Sequence, residues 1–404
     1  MRRALLTLVP LLAVFTVSAR EPTVPTPAIS PEARDRGVYH LAADAEARWV
    51  PFDLTPGNQI RFTMQLEGRK VTAILDTGVS YTLLAKASPA LDPAKLVAGG
   101  SAAAIGGSVA LGWMPTRSLA LGGLARTGGG VTVASLPAIA TGSAAAVDLL
   151  VGADLLAGYA LDIDYAAHRF RLLRSGRMPF KGETAPLRVS TERTVYESTI
   201  TLGGRRLAPI VVDTGDGSAI TVTSAGWHAA NLKALRTTTA IAFGLAGPTV
   251  SGLGIVPDLR VGALVAREAE VRIEPAGGFS QAIGTAGRIG SGFLQNYRVL
   301  LDPGARRMIL RRGPRADRPP LRSTSGLLVG IENDRLKVLH VMRGSPAAAS
   351  WKDGEMICMI DGAAIPRDYA KNPIAAWSAG APGRVVSLGL CDGSTRALTL
   401  RNFY

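Results

Sequence analysis

From "IRFTMQLEGRKVTAILDTG" (60–78) onward, short runs of β-favouring apolar residues alternate with Gly, Pro and polar turn residues at close intervals. That rhythm predicts many short antiparallel strands and a mainly β fold class. Two stretches break it. Residues 20–36, "REPTVPTPAISPEARDR", are Pro-rich and polar, which predicts a flexible leader, drawn here as 20–49. "RRGPRADRPP" (311–320) is charged and Pro-rich, which predicts a linker at 313–321 ahead of an unrelated tail, 322–404.

The chain also repeats itself. "VTAILDTGVSYTLL" (71–84) and "PIVVDTGDGSAITV" (209–222) place Asp76 and Asp213 at an offset of 137. Gly152 in "LLVGADLL" meets Gly290 in "GRIGSGFL", and Asp164 meets Asp302, both at an offset of 138. Between them "AAIGGSVA" (103–110) falls opposite "IAFGLAGP" (241–248). Several features recurring in order and in register predict a duplicated lobe. The expected boundaries are 50–180 and 181–312, each a comfortable domain size.

The opening "MRRALLTLVPLLAVFTVSAR" has a basic start, an apolar run from Ala4 to Val17 and a small-residue site at Val17-Ser18-Ala19. It reads as a secretory signal over 1–19, which implies a secreted or periplasmic protein. The alternative, an uncleaved anchor, is weaker because a bilayer span needs about 20 apolar residues.

Composition supports a folded, turn-rich chain: 47% of the 404 residues are hydrophobic, only 5% aromatic, with 46 Gly and 25 Pro. The formal charge of +14 favours anionic surfaces such as a cell envelope or acidic substrates. The arginines are spread along the chain without a basic helix or aromatic RNA motif, which argues against nucleic acid. Cys358 and Cys391 are the only cysteines; a disulfide and two small buried hydrophobes fit them equally.

The repeated tripeptide carries the chemistry. An Asp at the end of a buried strand, followed by Thr and Gly, sits in a tight turn whose backbone N–H groups face the carboxylate, and the Thr hydroxyl can bond a symmetric partner loop. Two such loops at a pseudo-two-fold axis bring Asp76 and Asp213 together. Neighbouring carboxylates share one proton, so one acts as base on a water and the other as acid on an amide carbonyl.

These residues resemble the aspartic protease superfamily, in particular its retropepsin-like bacterial members, over roughly residues 50–312. The resemblance implies two β-barrel lobes related by pseudo-two-fold symmetry, catalytic Asp76 and Asp213, and active-site loop support from Thr77, Gly78, Ser80, Thr214, Gly215 and Ser218. Ile105, Gly106 and Gly107 stand where that family carries its flap, and the Gly152 and Gly290 segments where it supports the active-site loops. The second loop departs from the pattern: Ser218 comes one place late and Asp216 adds a third carboxylate, which either raises the pair's pKa or points to solvent and binds an arginine.

The tail, with "RGSPAAA" and "WKDGEMICMIDG", resembles a PDZ domain over roughly 322–402. That implies an α+β module with Gly326, Leu327 and Leu328 in a loop that captures a peptide C-terminus. No cofactor is implied. No metal motif, Walker A loop or serine-nucleophile elbow occurs, and His40, His168, His228 and His340 are the only imidazoles. The expected function is an exported aspartic endopeptidase acting on peptides or proteins, envelope association included; the alternative is an inactive peptide-binding scaffold of the same fold.

Overall fold

Residues 36–141, 146–232 and 234–404 are described by the structure, a computed structural model; the signal segment and most of the leader lie outside them. Among the described residues no helix is long and apolar enough to cross a membrane. The molecule is mainly β, with short helices.

Strand alternation is clearest at Ile60–Leu66, where Ile60, Phe62, Met64 and Leu66 are buried and Thr63 and Gln65 are exposed. A tight turn at Glu67-Gly68 returns the chain antiparallel as Arg69–Leu75, with Phe62 opposite Ala73. The face that Phe62 enters belongs to a core running through both halves of the chain ahead of the linker.

Strand order repeats between those halves. In the first it runs Arg69–Leu75, Leu149–Val151, Leu83–Ala85, Gly130–Ala134, Gly107–Pro115, Val97–Ala104. In the second it runs Arg205–Asp213, Gly287–Gly290, Ile220–Thr223, Leu264–Glu274, Gly247–Val261, Thr237–Gly244. Each time the strand entering the Asp-Thr-Gly turn lies parallel to a later strand threaded beside it. The halves are joined edge to edge where Ala160–Asp164 pairs antiparallel with Tyr297–Asp302. The two aspartate turns thus stand at equivalent places in the two strand orders.

One boundary is corrected. The leader does not extend to residue 49: Val38–Leu41 is a strand paired antiparallel with Leu124–Thr127, and Val50–Leu54 continues the sheet. The Pro-rich stretch ends before Val38, and from there Tyr39 and Leu41 pack against the core.

Residues 327–399 form a separate sheet in the order Leu327–Glu332, Arg335–Val341, Met356–Ile360, Val385–Leu390, Thr395–Thr399, over a core that includes Trp351 and Trp377. Cys358 and Cys391 are bonded here, which decides between the two readings of the cysteines. The bridge spans 33 residues, and loop-closure entropy gives it about 3–4 kcal/mol. Reduction, or Cys358→Ala with Cys391→Ala, is expected to lower the unfolding midpoint of this unit, read by fluorescence of Trp351 and Trp377, while leaving that of the two preceding halves unchanged.

This C-terminal unit rests on Thr237–Gly244, the outer strand of the second half. His340 Nε2 lies 2.7 Å from Thr239 Oγ1, and the Thr238 hydroxyl donates to the Arg343 carbonyl at 2.8 Å. Ala240, Leu253 and Met342 close the contact with Leu328, Phe403 and Tyr404.

Candidate active site

Strand Arg69–Leu75 delivers Asp76 and strand Arg205–Asp213 ends on Asp213, both 7% exposed where the halves meet. The two turns grip one another. The Thr77 hydroxyl donates to the Val212 carbonyl at 2.6 Å and accepts the Thr214 N–H at 3.1 Å. The Thr214 hydroxyl donates to the Leu75 carbonyl at 2.8 Å and accepts the Thr77 N–H at 3.0 Å. Every donor and acceptor in this reciprocal set is buried, so each bond is held by the cost of leaving a partner unpaired, about 1–3 kcal/mol per group.

The same turns seat each carboxyl against the glycine of the opposing turn. Gly78 and Gly215 make that approach sterically allowed. A Cβ on Gly78 would lie 2.3 Å from Asp213 Cγ, and one on Gly215 2.2 Å from Asp76 Cγ. Each glycine thus vacates the space that the opposite carboxylate fills.

Inside the turns, Asp76 Oδ1 accepts the Gly78 N–H at 3.1 Å, whereas Asp213 Oδ1 accepts two, from Gly215 and Asp216, both at 3.0 Å. Burial and then the Asp213 carboxylate push the Asp76 carboxyl well above its usual range. Burial, then the Asp216 carboxylate, push Asp213 up to about 6 against the pull of Arg288 and the backbone amides. Two buried carboxyls with raised and mutually dependent affinities hold a proton between them at pH values where free carboxylates have lost theirs.

At Asp216 the two expectations combine. It does bind an arginine, Arg288, through Nε to Oδ2 at 2.8 Å, but it does so inside the protein. Burial works against its charge, yet Arg288 and Ser218 hold it below the usual carboxylate range. Glu274 takes the other side of the same guanidinium at 2.7 Å. Sequence reasoning misses both Arg288 and Glu274. The available signal is Arg288 inside the otherwise apolar strand "GRIG"; Glu274 ends a strand that carries several other charges and gives none.

Ser80 and Ser218 hold the loops but do not bond the paired aspartates. The Ser80 hydroxyl donates to the Arg193 carbonyl of the other half, and the Ser218 hydroxyl to Asp216 Oδ1 at 2.7 Å. The displaced serine has a steric cause. Gly217 occupies the place of Ser80, and a Cβ there would lie 1.7 Å from the Gly57 carbonyl oxygen, beside which Asn58 donates to the Gly217 carbonyl.

Behind each loop, the strand and short helix at Gly152 and Gly290 act alike. The Ala153 N–H donates to the Val79 carbonyl and the Ser291 N–H to the Asp216 carbonyl, at 2.9 and 2.7 Å. Ile105, Gly106 and Gly107 form the tip of the hairpin between Val97–Ala104 and Gly107–Pro115. The second half carries a matching hairpin, and the tips touch: the Ala246 N–H donates to the Ile105 carbonyl at 3.2 Å. Gly106, at φ +94°, has the Gly247 carbonyl 2.5 Å from where its Cβ would be.

Comparison of the chain with protein-family models and with the curated proteins finds no match.

Gly326, Leu327 and Leu328 lie at the start of the edge strand of the C-terminal sheet, away from the aspartates. The Gly326 and Leu327 N–H groups donate to the Ser323 and Ser325 hydroxyls at 2.9 and 3.1 Å. These donors are engaged within the loop, so a peptide carboxylate would have to displace the two serines. Leu328 packs toward the second half instead. His168 is exposed and stacks on Phe52, as suits a surface turn. Among the described residues no group of His, Cys, Asp and Glu is placed to hold a metal ion.

Proposed function

We propose that this chain is an aspartic endopeptidase built from two retropepsin-like lobes, in which Asp76 and Asp213 share one proton and activate a water against a peptide bond. The observation that carries the reading is the reciprocal Thr77/Thr214 grip with a carboxyl seated over each opposing glycine. It brings two carboxyls together at one point between the halves, which is what metal-free hydrolysis by a water nucleophile requires. The paired hairpins suit an extended polypeptide, because a strand-like substrate can be bonded from both sides and shielded from bulk water as the tips close.

The C-terminal unit is read as PDZ-like. Its edge strand Leu327–Glu332 is open to an added strand, while its contact with Thr237–Gly244 ties it to the second hairpin. Partner binding by this unit and export of the protein belong to the same proposal.

The test is direct. The purified chain, begun at Arg20, is incubated with unstructured peptides from pH 3 to 8, with and without a metal chelator, and products are read by mass spectrometry. Internal cleavage that persists in chelator is expected. Peptide binding without cleavage at any pH would instead favour an inactive scaffold.

A further inference from the structure

The two halves differ beside their aspartates, and the difference is one of charge. Behind Asp76 the surroundings are apolar: Val79 packs on a cluster that includes Ile74, Leu83, Leu136 and Leu150. In the second half Asp216 stands where Val79 does, at the offset that relates Asp76 to Asp213, and Arg288 stands where Leu150 does, at the offset that relates Gly152 to Gly290. Strand register agrees, since Leu150 lies beside Ile74 and Arg288 beside Val211.

Arg288 is 4% exposed. Its Nε donates to Asp216 Oδ2 at 2.8 Å and stands 3.9 Å from Asp213 Oδ2. Its Nη1 donates to Glu274 Oε1 at 2.7 Å and Ser280 Oγ at 2.8 Å, and the Phe279 ring lies 5.3 Å from the guanidinium carbon. No ion pair to Asp76 occurs among the described residues. Burying three charges carries a desolvation cost that a well-packed apolar cluster avoids, and the first half holds its loop with such a cluster. A purely structural demand does not account for the charges.

We propose that Arg288, held in place by Asp216 and Glu274, is a positioning residue that acts through Asp213 alone, offsetting the neighbouring Asp216 carboxylate so that Asp213 is the ionised member of the pair and the shared proton stays on Asp76. This rests on the peptidase reading for its catalytic meaning. Asp213 then takes a proton from water as the water oxygen bonds the carbonyl carbon, and Asp76 gives its proton to the carbonyl oxygen. When the diol collapses, the C–N bond breaks, Asp213 returns its proton to the amine nitrogen, and one diol hydroxyl returns a proton to Asp76. Atoms and charges balance, and the pair is restored.

The charged groups facing Asp213 are Asp76, Asp216 and Arg288, with Glu274 behind the guanidinium. Arg288 favours the Asp213 anion and Asp216 opposes it, so neutralising them moves the pair in opposite directions. That sign reversal is a readout that loss of packing does not produce.

The experiment follows aspartate side-chain carboxyls by 13C NMR against pH in the full chain, in wild type, Asp216→Asn, Arg288→Lys and Arg288→Gln with Glu274→Gln. Asp213 is expected to ionise before Asp76. The first step should fall in Asp216→Asn, rise by about one pH unit in the Arg288→Gln pair variant, and stay near wild type in Arg288→Lys. The acid limb of kcat/KM should move with the same signs. Shifts of one sign in folded variants, or none, overturn the proposal; should the Arg288→Gln pair variant not fold, an unmoved first step in Asp216→Asn overturns it alone. A wild type that titrates as expected but cleaves no peptide would overturn the peptidase reading and leave the electrostatic bias standing.

Discussion

Asparagine at either Asp76 or Asp213 is expected to lower peptide hydrolysis by about 10²–10⁴-fold or more while the protein remains folded. The amide keeps the shape of a carboxyl and still accepts the N–H bonds within each turn, from Gly78 to residue 76 and from Gly215 and Asp216 to residue 213. What it loses is the exchangeable proton, and with it either the acid or the base. Stability should move the other way. The Asp213 carboxyl is pushed up to about 6, first by burial, from the ordinary 3.8. Between those values the unfolded chain has released this proton and the folded one still holds it, so stability falls as pH rises from about 4 to about 6. At neutral pH the folded state has lost about 3 kcal/mol on this account, and Asp213→Asn should recover part of it. Urea unfolding at pH 4 and pH 7 checks this: the variant gains at pH 7 and not at pH 4. A variant that lost activity because it unfolded would show the opposite at both.

Alanine at Gly78 or Gly215 should be nearly as damaging, for a steric reason. The added methyl would lie 2.3 Å or 2.2 Å from the opposing carboxyl carbon, well inside contact distance. One loop must retreat by about 1 Å or more, and a displacement of that size at reacting groups can cost about 100-fold. The damage is crossed: Gly78→Ala displaces Asp213, and Gly215→Ala displaces Asp76. Hydrolysis assays together with the 13C titration of the carboxyls separate this from general unfolding. The displaced pair should titrate closer to independent carboxyls, with the upper step lowered.

The mainly β character is legible from the alternation of short apolar runs with turns, because half-buried strands leave that pattern directly. The offset between Asp76 and Asp213 is legible too, and strand order repeats at the same spacing. What escapes are features set by approach between distant segments. Gly217 reads as an irregularity until the Gly57 carbonyl is found against it. Asp216 keeps two readings open, one raising the pair's pKa and one binding an arginine at the surface, until Arg288, far along the chain, is found beside it inside the protein. Val38–Leu41 reads as leader because its partner strand, Leu124–Thr127, lies far along the chain, near the middle of the first half. At the C-terminal unit the sequence offers a donor loop at Gly326 and Leu327, but does not reveal that Ser323 and Ser325 already occupy those donors.

The central claim is that one proton is held jointly by Asp76 and Asp213. The pH profile of kcat/KM for a single unstructured peptide, free of ionisable groups near the cut, tests it most directly. A bell is expected, with both limbs belonging to the pair: activity rises as the first carboxyl ionises and falls as the second does. Hydrolysis that increases along a single limb and stays on an alkaline plateau, where both aspartates are ionised, would contradict it.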